Sequence, residues 1–152
     1  SGAQFSATVK PKITSGAWRL GVFVGTKFKF PVNVRLNLAS VGGPSGGMMF
    51  ALGIYDKMTP GSLTGGQIIA GTGTIDEMGK VGPIGGIQQK LYGAQRAGAR
   101  WFLAPNENCS EVVGHIPAGI NVVSVKNFDQ ALAAVRQIAT KHSITGLPTC
   151  SK

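Results

Sequence analysis

Two side chains in this sequence could between them hydrolyse an acyl bond. Ser45 lies in Gly42-Gly43-Pro44-Ser45-Gly46-Gly47, between a strand-like and a helix-like segment. The first N–H groups of a helix lack intrahelical partners and carry the positive end of its dipole. A hydroxyl placed there can attack a carbonyl while neighbouring amides hold the oxyanion. The glycines would let a substrate approach the backbone closely. The plainer alternative is a serine that caps the helix after a glycine-rich turn.

A serine nucleophile needs a base. In the helix-like segment 87–98, Ile87, Leu91, Ala94 and Gly98 share a face by the i, i+3, i+4 rule, and Lys90 falls among them. Gln88, Gln89, Gln95 and Arg96 point away. A lysine on a buried face is unusual, and burial disfavours its charged form. A neutral amine there could take the Ser45 proton; the alternative is a stem laid on the core with its ammonium in water. A histidine is the other source of a base. Gly43-Pro44-Ser45-Gly46-Gly47 fits the G-x-S-x-G nucleophile elbow, and Asp76 with His115, or Asp129 with His142, satisfies its chain order. However, 152 residues are few for that fold, His142 opens a polar tail, and His115 sits in a Gly/Pro-flanked stretch.

Other motifs fail. Five residues separate Gly73 from Gly79-Lys80 where a phosphate loop has four, and Val81 stands where the hydroxyl would be. No dinucleotide fingerprint and no metal-ligand spacing occur. Fifteen Lys and Arg against six Asp and Glu give a net charge of +9, which could suit nucleic acid, an anionic surface or acidic partners. Yet charged residues are only 14%, the bases are scattered singly, and a nucleic-acid partner is not expected. A catalytically silent basic binding domain remains the non-enzymatic reading. Hydrophobic residues at 43% exclude disorder throughout, and no apolar run reaches the ~20 residues of a membrane span. Cys109 and Cys150 are either two unrelated thiols or one disulfide tying the tail to the body; the latter would imply an oxidising compartment.

The elements that must position Ser45 and Lys90 read as alternating strands and helices. Strands are expected at 5–9, 17–25, 32–38, 67–75, 101–104 and 121–125, and helices at 46–58, 87–98 and 128–141. Glu77-Met78-Gly79-Lys80 reads as a turn. Asn127 caps the last helix, with Gln130 completing a capping box; Phe128, Leu132, Val135 and Ala139 form its apolar stripe, with Ile138 beside it. The fold class is α/β, one domain over 1–152, with 1–4 a linker or added scar and 143–152 a C-terminal tail.

Gly43-Pro44-Ser45-Gly46-Gly47, followed by Pro83-Ile84-Gly85-Gly86-Ile87-Gln88-Gln89-Lys90-Leu91, resembles the proteolytic domain of the Lon family of Ser–Lys peptidases. Gly71-Thr72-Gly73-Thr74-Ile75, Arg96-Ala97-Gly98-Ala99 and Ala104-Pro105-Asn106-Glu107-Asn108 continue the pattern, and the match covers about residues 32–140. The resemblance implies a compact domain of mixed sheet and packed helices. It implies Ser45 as nucleophile, Lys90 as general base, Thr72 as the hydroxyl that steadies the lysine, and Gly42, Gly43, Pro44 and Gly46 as the oxyanion and substrate loop. It implies polypeptide substrates bound as an extended strand near 67–74, homo-oligomers that in this family are often hexameric rings, and no metal or cofactor. Lon proteins usually carry Asp three residues before the serine; Gly42 stands there, removing a charge beside the dyad. The wording of 71–76 and 81–90 is most similar to bacterial Lon-like proteases that join this domain to a PDZ domain and an N-terminal membrane anchor. That subgroup would supply both from a preceding segment, act without ATP and work outside the cytoplasm, where a Cys109–Cys150 disulfide would fit.

Overall fold

In the computed structural model, residues 6–22, 32–35 and 43–150 are described. The chain falls into two compact units, Ser1–Arg35 and Leu36–Lys152. The first contains an antiparallel hairpin of β1 (Lys12–Thr14) and β2 (Ala17–Arg19). Its turn uses Ser15 and Gly16, both at positive φ. Residues 6–9 and 32–35 form no strand, although Val32 and Val34 alternate with polar residues. Alternation marks a face to be buried, whereas a strand also needs a neighbour for its N–H and C=O groups, and both valines are exposed. Of the strand expected at 17–25 only Ala17–Arg19 forms among the described residues; residues 5, 23–25 and 36–38 lie outside them.

The second unit is an α/β body. Its elements are α1 (Gly47–Met58), β3 (Ile69–Gly71), β4 (Thr74–Ile75), β5 (Val81–Gly82), α2 (Ile87–Arg96), β6 (Trp101–Pro105), α3 (Cys109–Val112), β7 (Asn121–Val125) and α4 (Phe128–Lys141). β3, β6 and β7 make a parallel sheet in that order, with Ile69 opposite Trp101 and Trp101 opposite Asn121. A parallel strand covered on both faces should be apolar throughout, and all five residues of β6 are buried. Trp101, Leu103, Val123 and Val125 face α1 and α4 with Met48, Leu52, Leu132, Val135 and Ile138. Phe102, Ala104 and Val122 face α2 and α3 with Ile87, Leu91, Ala94 and Val112. In α4 the stripe centres on Ile138, fully buried, while Phe128 is half-buried.

The expected strand 67–75 is broken in two at Thr72-Gly73. β4 leaves the sheet to pair antiparallel with β5. The break follows from packing: Gly73 lies at φ 156, and a Cβ there would come within 2.8 Å of a Val81 methyl. The turn at 76–79 is an Asx turn in which Asp76 Oδ1 accepts from the amides of Met78 and Lys80. Asn127 Oδ1 accepts from the Gln130 amide as expected of the α4 cap, but Gln130 Oε1 reaches back to the Lys126 amide rather than to that of Asn127. The tail after α4 does not hang free. Cys150 is disulfide-bonded to Cys109, 41 residues earlier, and Pro148 O accepts from the Ser124 amide of β7.

Candidate active site

Ser45 occupies a 3₁₀ turn, Pro44–Gly46, that runs directly into α1. Pro44 at the first position sets the entry angle, and Gly43 before it adopts φ 82, which favours glycine. The Ser45 carbonyl is held twice: the Thr72 hydroxyl donates to it at 2.9 Å and the Gly73 amide at 2.8 Å. Gly73 O in turn accepts from the Met48 amide in the first turn of α1. The hydroxyl of Ser45 caps nothing, since neither the 3₁₀ turn nor α1 has a side-chain cap. The plain capping alternative is therefore not what the chain adopts. Ser45 is half-buried, at the positive mouth of α1.

Thr72 is fixed in its own right. It is 2% exposed, and its amide donates to Leu103 O of β6 at 3.1 Å, one residue beyond the β3 ladder. Strand alternation puts it on the same face as Ala70, which packs with the α2 cluster. Its hydroxyl proton is committed to the Ser45 carbonyl, while the oxygen keeps lone pairs to accept from an amine. Close packing holds this region together. A Cβ on Gly71 would lie 2.6 Å from Met49 Sδ and 3.0 Å from Leu103 Cβ.

Lys90 lies in α2, and here one expectation is corrected: the residue is exposed. Ile87, Leu91 and Ala94 form the buried stripe. At about 100° per residue, Lys90 falls roughly 65° to its side, close enough to rest its stem there but with its ammonium in water. Among the described residues no hydrogen bond or salt bridge joins Lys90 to Ser45 or Thr72. Topology nevertheless puts them at one end of the sheet. α2 lies between parallel strands β3 and β6, so it runs back against them and starts where they end. Thr72 follows the end of β3, and ligands of open α/β sheets commonly bind beyond these carboxyl ends.

Among the described residues, no side-chain hydrogen bond or salt bridge joins His115 or His142 to Asp76, Asp129 or Ser45. Both histidines are exposed, His142 ends α4 in the left-handed region, and the Asp76 carboxylate is engaged by its own turn. Among the described residues, no group of His, Cys, Asp and Glu could hold a metal ion, and no helix is long and apolar enough to cross a membrane. Gly43, Pro44 and Gly46 line the entrance to α1, while Gly42 lies outside the described residues.

Two residues lie inside the quoted motifs with no role assigned to them there. Gly73 ties the Ser45 carbonyl to the Met48 amide through its own peptide groups, which no side-chain pattern announces. Asn108, 1% exposed, uses its Oδ1 to accept from the Ile84 amide and its Nδ2 to donate to Ile84 O, both at 2.9 Å. The signal available for it was its place in Ala104-Pro105-Asn106-Glu107-Asn108; its neighbours Asn106 and Glu107 are exposed.

Residues 32–137 match the family described as Lon protease (S16) C-terminal proteolytic domain. The chain belongs to that family. It is 32% identical over 124 residues to the Lon protease of Rickettsia conorii, covering 80% of this chain and 15% of that protein. It is 33% identical over 121 residues to Lon protease 2 of Herpetosiphon aurantiacus, covering 75% of this chain and 14% of that one. Over 92 residues it is 34% identical to Lon protease 2 of Bacillus subtilis, covering 60% and 16%. The chain thus spans about one seventh of the length of the curated relatives it matches.

Proposed function

We propose that the chain is a serine endopeptidase domain in which Ser45 is the nucleophile and Lys90 the general base. The observation that supports this most is the division of labour at Ser45. Its carbonyl is anchored by Thr72 and Gly73, and its hydroxyl, at the mouth of α1, is left uncommitted by any cap. The anchor fixes the residue so that the hydroxyl can be presented to a substrate.

In this reading Lys90 Nζ takes the Ser45 proton as Oγ bonds to the substrate carbonyl carbon. Backbone amides of Ser45 and Gly46 stabilise the oxyanion, and the loop of Gly42, Gly43, Pro44 and Gly46 gives the substrate room. As the C–N bond breaks, the Lys90 ammonium gives its proton to the leaving amine. The now neutral Lys90 amine then deprotonates the water that attacks the ester, the acyl C–Oγ bond breaks, and the Lys90 ammonium returns the proton to Ser45 Oγ. Thr72 steadies the amine through the lone pairs its hydroxyl retains. Because Lys90 is exposed in the chain, the water around it would be displaced by the polypeptide itself, laid as an extended strand near 67–74.

The domain is proposed to cleave without ATP, to assemble as a homo-oligomer, and to belong to a bacterial Lon-like protease with a PDZ domain and a membrane anchor, working outside the cytoplasm. The wording of residues 71–76 and 81–90 supports the subgroup. The Cys109–Cys150 disulfide supports the compartment, since such bonds persist where conditions oxidise. The test is cleavage of an unfolded protein by the purified chain with no nucleotide present. Turnover should vanish in Ser45→Ala and Lys90→Met with the fold intact. Activity that survives Lys90→Met but not His115→Ala or His142→Ala would point instead to a Ser-His-Asp hydrolase.

A further inference from the structure

We infer that Asn108 is a positioning residue for Lys90: it sets the start of α2 relative to the end of β6, and so places the base against the nucleophile. The inference rests on the Ser45–Lys90 reading above. α2 has no side-chain cap of its own, and it is entered through Gly85 and Gly86, the latter at φ 73. Two adjacent glycines leave the preceding backbone free to adopt many angles. What fixes that entry is Asn108. Its side-chain amide pairs with both the N–H and the C=O of Ile84, as a neighbouring strand would, across 24 residues of sequence. Its Nδ2 also donates to Glu111 Oε1 at 2.6 Å.

A second tie reaches the first turn of α2 itself. Gln88 Nε2 donates to Glu111 O at 3.1 Å. The segment 106–112 therefore grips α2 on both sides of its mouth, at Ile84 and at Gln88, two residues before Lys90. β6, which leads into that segment, sets the other half of the site. Leu103 O receives the Thr72 amide, and Thr72 holds the Ser45 carbonyl. β6 and the 3₁₀ turn Asn106–Asn108 that directly follows it are thus the common reference for both catalytic side chains, through Leu103 on one side and Asn108 on the other. A shift of about 1 Å between reacting groups can cost roughly 100-fold in rate, so the grip matters to chemistry as well as to folding.

The test compares peptide cleavage by the full chain and by Asn108→Asp, with turnover expressed per folded molecule from thermal unfolding followed by circular dichroism. Asp keeps the acceptor for the Ile84 amide, loses the donor to Ile84 O, and places a carboxylate beside Glu111. Positioning predicts a fall in kcat of roughly 10- to 100-fold, with KM changed by less than about twofold. A purely structural role would leave kcat per folded molecule unchanged, and that result overturns the inference. Should Asn108→Asp not fold, Gln88→Ala removes the other tie at a partly exposed site. It should lose kcat severalfold with KM unchanged, and wild-type kcat there overturns the inference. Lys90→Met is assayed alongside. Turnover retained by it overturns the base assignment and this inference together, whereas turnover lost there but kept at Asn108→Asp overturns this inference alone.

Discussion

The carbonyl of Ser45 is committed to structure and its hydroxyl is not. Thr72 and Gly73 donate to the carbonyl, so changing Ser45 to Ala removes only the Oγ and should leave the fold untouched. Loss of a nucleophile acting in concert with its base typically costs 10⁴-fold or more in turnover, roughly, and peptide cleavage by Ser45→Ala should fall by that order with an unchanged unfolding midpoint. Thr72→Val keeps the shape but withdraws one of the two donors. It should cost about 1 kcal/mol in denaturant unfolding and lower kcat more than it raises KM, with Thr72→Ser restoring most of both. At this scale the residue types and their motif context were legible, and the environment of Lys90 was not. A three- and four-residue spacing from Ile87 and Ala94 put it beside the buried stripe, but spacing does not say whether a side chain at the margin turns inward or outward. A long aliphatic stem can follow the core while its charge stays hydrated.

Elements were legible where a periodic pattern ended on a recognisable cap. α4 runs Phe128–Lys141 behind Asn127, and Asn127→Ala should cost about 1 kcal/mol, read by urea denaturation. They were less legible where tertiary contact interrupts a pattern. The run 67–75 reads as one strand, yet Thr72 and Gly73 divide it because Gly73 must bridge Ser45 and Met48 and because Val81 fills the space beside it. Close approach also dictates Gly71. Adding a methyl there would press on Leu103 Cβ at 3.0 Å and on Leu103 O at 3.1 Å, neither of which can retreat without moving β6. Gly71→Ala should therefore destabilise by about 1–3 kcal/mol in the same assay and disturb the adjoining Thr72. The tail illustrates a choice that composition left open between free thiols and a bond. Its closure is accompanied by Ile144 and Leu147 packing against the core shared by α1 and α4, and by Cys150 packing on the α2 side. The tail thus crosses the edge of β7 and covers it. Closing a loop of that length stabilises by about 3–4 kcal/mol, so Cys150→Ser should lose that amount relative to the oxidised protein. Equal unfolding midpoints for the two would contradict it.

For the molecule as a whole, the body is organised around one parallel sheet whose carboxyl end gathers the mouths of α1 and α2. The alternation of strands and helices made the α/β class legible, but not the parallel order β3-β6-β7 or the site at its carboxyl end, because strand pairing depends on contacts distant in sequence. The association of the site with a particular partner was not legible either, because a net charge of +9 spread singly along the chain selects none. The proposed mechanism has a consequence in bulk solution: only an unprotonated amine accepts the serine proton. Cleavage should accordingly rise from mildly acidic to alkaline pH, and a flat profile over that range would count against an amine base. The most direct test is a crystal structure with a peptidyl boronate bound to Ser45, from which the Ser45 Oγ to Lys90 Nζ separation is measured. Direct hydrogen-bond reach is expected, about 2.6–3.2 Å, with the amine shielded by the bound peptide. An occupied site in which Nζ remains in bulk solvent, directed away from Oγ and beyond the reach of a bridging water, would contradict it.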